Sequence, residues 1–272
     1  MKSALNQSHL IDVPFEVSSG LISDFRQNGH VLINQIFDED TISDFRRKVN
    51  SAVDRLNTET RKLEDRDTYG KAFLQIMNLW RDDSSVAAYV LSKRLASIAA
   101  QLLGVERVRI YHDQALFKEP GGGPTPWHQD QYYWPIDTSN TITMWMPLVD
   151  IADGMGMLTF ASKSHLQGRV FEKEISDESD HLYDQFVKNN QFPVSRPRYM
   201  NAGDATWHYG YTIHNAPGNE SQSMREVMTI IYLADGAKAT SPQNTFQAND
   251  LKTWMPGMKV GDLINSELNP II

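Results

Sequence analysis

The stretch GGGPTPWHQDQYYW, residues 121–134, decides how this chain is read. It opens as a loop too rich in glycine and proline to continue a helix. It then sets an imidazole, His128, two residues before a carboxylate, Asp130. On a strand, side chains at i and i+2 share a face, so the two would project together from Cα atoms roughly 7 Å apart. Two such donors suit one metal ion. Of the histidines at 9, 30, 112, 128, 165, 181, 208 and 214, only His128 begins a His-x-Asp or His-x-Glu triplet. By itself the triplet is a weak signal, and the competing reading is a surface pair beside a turn. A phosphate cradle is disfavoured, because neither Gly-Lys-Ser/Thr nor a helix follows the glycines.

Composition narrows the chemistry. The chain has 272 residues, 40% hydrophobic and 22% charged, with a net charge of −8. That length supports a substantial core. The acidic balance argues against nucleic acid and anionic membrane as partners, but not against a small anion held by one local arginine. Cysteine is absent. Disulfides, thiolate nucleophiles, cysteine-ligated zinc and iron–sulfur clusters are therefore excluded, which leaves histidine and carboxylate as metal ligands. The N-terminal MKSALNQSHLIDVPFEV has no apolar run behind its lysine and does not read as a signal peptide. The longest apolar-rich stretch, LASIAAQLLGV, is too short to span a bilayer. A cytoplasmic protein is expected, and no feature assigns an oligomeric state.

The first hundred residues have helical periodicity. Leu21, Ile22 and Phe25 share a face before Gly29, a left-handed cap. Ile42, Phe45, Val49, Val53 and Leu56 follow at helical spacing. A third helix is expected from Asp83 or Ser84 to Gly104, turning Val86, Val90, Leu91, Leu95, Ile98 and Leu102 inward. Between the second and third helices, RKLEDRDTYGKAF (61–73) reads as an exposed charged loop. From Val105 onward, short apolar or alternating runs lie between turn signals, as in TITMWMPLV (141–149) and REVMTIIYL (225–233). Many short strands at close spacing predict an antiparallel sandwich or barrel. Residues 172–197 break that rhythm with a long, charged, partly helical insertion, expected to be a lid or substrate-binding element. The expected organisation is a single domain over 1–272, with a mainly helical part (1–104) packed on a β-core (105–272).

The far end of the β-region strengthens the metal reading. In GDATWHYGYTIHNAPGNESQSMREVMTIIYL (203–233), His214 closes one apparent strand and Arg225, eleven residues later, opens the next. His208 competes with His214 as a third ligand, since both lie on one extended run. Two histidines and one carboxylate on one face leave three coordination positions open, as in non-haem iron(II) oxygenases. A chelating 2-oxo acid takes two of these and O2 the third. An arginine then suits the acid's distal carboxylate, because its planar fork matches that group. The same donors also suit zinc, so a zinc-dependent hydrolase or isomerase stays open, as does a non-catalytic β-barrel binding protein.

Taken together, several segments resemble the phytanoyl-CoA dioxygenase-like iron(II)/2-oxoglutarate oxygenases. They are FRQNGHVLINQIF, YHDQALFKEPGGGPTPWHQDQYYW, TMWMPLVDIADGMGMLTFASKSH, GDATWHYGYTIHNAPGN with Arg225, and WMPGMKVGDLINSELNP. The resemblance implies a mainly β fold with flanking helices, built on a double-stranded β-helix (jelly-roll or cupin-like) core. It implies His128, Asp130 and His214 as catalytic iron ligands and Arg225 as the 2-oxoglutarate anchor. By position it adds Gln114 and Trp145 as co-substrate neighbours. The implied cofactors are Fe(II), 2-oxoglutarate and O2. The implied reaction is oxidation of an unactivated C–H of a small organic metabolite, with succinate and CO2 as co-products. Hydroxylation is the default outcome, and desaturation, cyclisation or epimerisation start from the same abstraction. Asp130 disfavours halogenation, since halogenases of this group carry a small residue there. Some relatives have serine where this chain has Ala216. His208 then becomes a cavity-wall residue. Tyr132 and Trp134 share parity with the ligands and are expected to line the cavity if the strand continues. His112 is expected to be a structural hydrogen-bonding residue. No motif names the substrate.

Overall fold

The run VMTIIYLA has no polar alternation, which fits a strand covered on both faces. The computed structural model describes residues 11–272, and in it every residue of this strand is buried. In chain order, the N-terminal elements are α1 (Ser19–Asn28), β1 (His30–Ile33), α2 (Glu39–Leu56), α3 (Thr68–Ala72), β2 (Leu74–Met77), α4 (Leu79–Asp82), α5 (Ser84–Val90) and α6 (Lys93–Leu103). Next come β3 (Val108–Phe117), β4 (Thr125–His128), β5 (Thr141–Pro147), β6 (Ile151–Ala152), β7 (Thr159–Ala161) and α7 (Asp177–Asn189). The chain ends with β8 (Val194–Ser195), β9 (Tyr199–Met200), β10 (Ala205–Tyr209), β11 (His214–Ala216), β12 (Val227–Ala234) and α8 (Thr245–Trp254).

These strands build a double-stranded β-helix. The larger sheet runs β1-β10-β5-β12-β3-β2, the smaller β4-β11-β7-β8, and β6 pairs with β9. Every pairing is antiparallel. On β12, Met228, Ile230 and Tyr232 face a core shared with Phe45 and Val49 of α2, Val86 and Val90 of α5, and Ile98 and Leu102 of α6. Thr229, between them, turns to the opposite face and lines a cavity. The strand thus packs on helices on one side and on the site on the other.

Capping chemistry follows the sequence at several ends. Gly29 and Gly104 take left-handed conformations, with φ of 83° and 72°. Four expectations change. The third helix is two helices, because the Ser92 hydroxyl accepts from Leu95 N–H and starts α6 afresh. Ser84–Leu103 is, by length and composition alone, apolar enough to cross a membrane. Here the stretch breaks at Ser92 and buries Val86, Val90, Leu95, Ile98 and Leu102 in the core. Residues 61–73 are not simply a loop, since they contain α3 and lead into β2, which pairs with β3 from Leu74↔Phe117 to Met77↔Gln114. The N-terminal part therefore also contributes strands to both edges of the larger sheet. Finally, Thr245–Trp254 forms α8, a helix that the sequence periodicity does not announce. Within 172–197, Ser176 and Ser179 form a capping box that starts α7, and Asp180 accepts from Trp127 N–H at 2.7 Å, tying α7 to β4. The expectation that MKSALNQSHLIDVPFEV is not a signal peptide falls largely on residues 1–10, which lie outside the described residues.

Replacing Ile230, which is fully buried, by alanine is expected to lower stability by about 2–5 kcal/mol in urea unfolding. Leu166→Ala, at a side chain 68% exposed, should shift the same midpoint by less than about 0.5 kcal/mol.

Candidate metal centre and its cavity

The pairing of β11 with β4 sets His214 directly opposite His128, with ring centroids 4.2 Å apart. Each imidazole is oriented by a backbone carbonyl two residues earlier. His128 Nδ1 lies 2.7 Å from Pro126 O, and His214 Nδ1 lies 2.9 Å from Thr212 O. A carbonyl only accepts, so each Nδ1 carries the proton and each Nε2 keeps a free lone pair. Asp130 Oδ1 is 3.5 Å from His128 Nε2 and 3.6 Å from His214 Nε2. The donor atoms of the three residues lie within 4.8 Å of one another. Such spacing surrounds a shared centre better than it forms hydrogen bonds.

The second carboxylate oxygen is occupied. Asp130 Oδ2 accepts from Thr143 Oγ1 at 2.8 Å and lies 3.2 Å from His208 Nε2. Burial opposes ionisation of Asp130, but His214, His128 and His208 outweigh it and hold the carboxyl well below its usual range. Burial, then His128 and His208, hold the His214 imidazole well below its own. A carboxylate and a neutral imidazole are the protonation states a metal requires. His208 faces Asp130 from β10, lines the cavity and has no partner at Nδ1, but stands outside the three-donor group.

Asp130 opens a 3-10 turn that runs to Tyr133, and this breaks the strand parity expected beyond it. Trp134 does line the cavity, as does Tyr133. Tyr132 does not: its ring packs edge-on to Tyr133 at 5.0 Å, and its carbonyl accepts from Gln247 Nε2 at 2.8 Å.

Arg225 enters the cavity wall just before β12 and is only 2% exposed. Its Nη1 donates to Gly156 O at 2.7 Å and Nη2 to Leu116 O at 3.4 Å, while Nε has no partner. The guanidinium lies 5.5 Å from the Trp145 ring. Burial lowers its pKa to about 9, which leaves it cationic at neutral pH. The neighbouring Glu226 is engaged instead by Arg46, at 2.6 and 2.7 Å. A buried guanidinium with no carboxylate is costly unless an anion arrives. Gly156, at φ 77°, lets the chain pass here: a Cβ would stand 3.0 Å from Lys118 Cδ and 3.3 Å from Arg225 Nη1. Trp145 and Gln114 both line the cavity, and Gln114 Oε1 accepts from Gln75 Nε2.

Two residues differ from, or were missed by, the sequence reading. His112 is not satisfied as a structural hydrogen-bonding residue, because its Nδ1 has no partner and its side chain lines the cavity. Lys118 was not singled out. It is fully buried, donates to Gly123 O and Thr125 Oγ1, and pairs with Arg225 through the backbone. Its signal in the sequence was a lysine directly after the apolar ALF of β3. The cavity holds about 890 Å³ and is walled by β-core residues, residues 67–77, residues 174–178 and α8.

The family model for phytanoyl-CoA dioxygenase (PhyH) matches residues 25–227. This chain belongs to that family. A curated relative from Stutzerimonas stutzeri, "Probable alpha-ketoglutarate-dependent hypophosphite dioxygenase", is 24% identical over 158 residues, covering 56% of this chain and 54% of the relative. The chain thus matches about half the length of that relative. Among solved structures, the non-heme alpha ketoglutarate dependent carbocyclase SnoK from nogalamycin biosynthesis is similar, with TM-score 0.77, 23% identity, and coverage of 96% of this chain and 99% of that one. The epimerase SnoN of the same biosynthesis has TM-score 0.76 at 20% identity, covering 93% and 97%. EctD from S. alaskensis, with 2-oxoglutarate and 5-hydroxyectoine, has TM-score 0.66 at 16% identity, covering 87% of each chain. At these identities the likeness is one of fold. Within this family member, the residues of the PhyH match carry the whole His128–Asp130–His214 group, with Arg225 near its end.

Thr143→Val removes the hydroxyl that orients Asp130. It is expected to weaken Fe(II) binding about 10- to 100-fold in anaerobic titration. A second prediction concerns pH. Burial, then Arg225, lowers the Lys118 pKa from 10.5 to about 6. Between those values the unfolded chain binds the extra proton, so this contribution to stability is present above pH 10.5 and is lost as pH falls through about 6. Lys118→Met should therefore gain most over wild type near pH 6 and progressively less toward pH 9, read from urea midpoints of the metal-free protein.

Proposed function

We propose that this protein is an iron(II)- and 2-oxoglutarate-dependent oxygenase that oxidises an unactivated C–H bond of a small organic molecule. The observation that carries the reading is Arg225. A buried guanidinium that forms no ion pair among the described residues lines the same cavity as the His128–Asp130–His214 group. A zinc hydrolase does not need an anchor for a 2-oxo acid, and no observation favours a barrel that merely binds.

The residues fit the group they would hold. Two neutral imidazoles with outward Nε2 atoms and one carboxylate match the donor set preferred by non-haem iron(II) with open positions. His128, Asp130 and His214 would bind the metal. When bound, iron with 2-oxoglutarate and O2 supplies an oxidant able to take a hydrogen atom from an unactivated carbon, leaving succinate and CO2. The protein's part is placement. Arg225 holds the distal carboxylate of 2-oxoglutarate, with Trp145 against its guanidinium. Thr143 and His208 fix the Asp130 carboxylate at Oδ2, so that Oδ1 faces His128 and His214. Gln114, kept in place by Gln75, borders the co-substrate side. The remaining cavity, far larger than 2-oxoglutarate requires, takes the substrate.

Hydroxylation is the default outcome. Cyclisation and epimerisation, the activities named for SnoK and SnoN, begin with the same abstraction and differ in how the substrate is held. The substrate is a small molecule, and we expect the protein to work in the cytoplasm without nucleic acid or membrane.

Adding Fe(II) and 2-oxoglutarate without air should produce a weak visible charge-transfer band, and air should then yield succinate. Arg225→Ala should raise the Kd for 2-oxoglutarate at least about 30-fold, since it removes one partner of a buried charge pair. The Kd for Fe(II) should change far less. No band and no succinate, or equal losses of both ligands, would overturn the assignment.

A further inference from the structure

Six carboxylates and one guanidinium line the cavity. Asp130 belongs to the metal group and Arg225 to the co-substrate. The substrate end is left with acidic groups from three separate segments, among them Asp67, Glu174, Asp177 and Asp250, and with no lysine or arginine among its described residues. Glu178 is offset by Lys173 at 2.8 Å. The other acids at the mouth are exposed, and alone they would be an ordinary solvated rim.

Asp250 is different. It projects from α8 into the cavity wall, and its partners are neutral. The Tyr111 hydroxyl donates to Oδ2 at 2.7 Å, and the Trp254 side chain donates to the same carboxyl. No cation forms an ion pair with it among the described residues. Burial pushes its pKa up to about 7, the mark of a carboxyl lacking its countercharge. His112, the chain neighbour of Tyr111, is 2% exposed and lines the same cavity with Nδ1 unpartnered, its ring 5.7 Å from that of Trp254. Burial lowers the His112 pKa to about 3, so this imidazole is neutral and does not offset the acid. Trp254 and Phe246, about two turns apart on α8, and Tyr133 also line this cavity with aromatic rings. A carboxyl without a cation, ring faces, and an unpartnered neutral imidazole are together the parts of a site for an organic cation.

We propose that the substrate is a ring-bearing amine, whose protonated nitrogen pairs with the Asp250 carboxylate beside the Trp254 ring while His112 meets a neighbouring hydroxyl or N–H. The oxygenase reading is needed only to call this occupant the substrate. An ammonium supplies the charge that Asp250 lacks, and rings fill a volume that a small oxyanion would leave empty. An anionic substrate would face repulsion from the whole outer wall.

Three probes of one shape test this: 2-(1-naphthyl)ethylamine, its N-acetyl derivative and 3-(1-naphthyl)propionic acid, titrated calorimetrically into the full chain. The amine and amide are compared both metal-free and with Fe(II) and 2-oxoglutarate under anaerobic conditions. The acid is tested only in the loaded state, where Arg225 is filled. The amine should bind at least about tenfold tighter than the amide, and tighter still than the acid. Asp250→Asn should reduce the amine-to-amide ratio to about one, with amide binding as the check that the variant folds. Trp254→Leu, a second variant that removes the ring and its N–H, should reduce the ratio several-fold. Equal or inverted affinities, no saturation by the amine up to about 1 mM, or a ratio undiminished in both variants would overturn the proposal. Failure of the oxygenase reading shows separately, as a missing charge-transfer band, and leaves the metal-free ratio readable.

Discussion

The pairing of β11 with β4 is the constraint on which the site depends. Because His214 lies opposite His128, two imidazoles from positions 86 residues apart share one face. A slip of one residue would turn His214 away, since strand side chains alternate. The turn before β11 secures the register. Gln131 N–H donates to Gly210 O at 2.9 Å, and a Cβ on Gly210 would come within 2.5 Å of Thr141 Oγ1 and 2.7 Å of the Trp134 ring. Glycine there lets the Asp130 turn close against the β10–β11 turn. Asp130 thereby stays beside the two histidines although its strand has ended.

Around this group the protein keeps charges that it does not neutralise. Arg225 and Lys118 are both buried and hydrogen-bonded mainly to carbonyls, and Arg225 disfavours the charge on Lys118. Elsewhere the same chain pairs such groups closely, as Arg46 with Glu226 and Arg109 with Asp235 at 2.6 Å. The contrast separates a site from a scaffold. Ion pairs on the scaffold satisfy themselves, whereas the cavity holds a cation at one end and acids at the other.

The fold was legible where burial on two faces wrote long apolar runs into the sequence, as in β5 and β12. It was legible too where glycine alone suits a left-handed cap, at Gly29 and Gly104. It was less so where a hydroxyl competes locally. Ser92 splits a helix whose apolar spacing continues across the break, so periodicity alone does not mark it. The α8 segment TFQANDLKTW buries only Gln247 in full, and its weak apolar face gave no helical signal. Tyr132 was misplaced because parity arguments end where a strand ends, and the 3-10 turn at Asp130 cannot be seen in residue types.

By itself, the sequence determined the donor chemistry. With no cysteine, and with a His-x-Asp triplet after a glycine loop, only imidazole and carboxylate ligation was open. Its segments also pointed to the family. Residue types alone left His208 and His214 in competition and the resemblance favoured His214; the tertiary structure groups His214, not His208, with His128 and Asp130. The two lie on one extended run, but β10 pairs into the larger sheet and β11 into the smaller, so one imidazole backs the carboxylate while the other stands beside it. The same holds for Asp250, which has hydrogen bonds but no countercharge, and for His112, whose Nδ1 has no partner: both features arise only once distant elements fold together. Burial and unmet hydrogen bonds are properties of packed space, and no local pattern of residues encodes them.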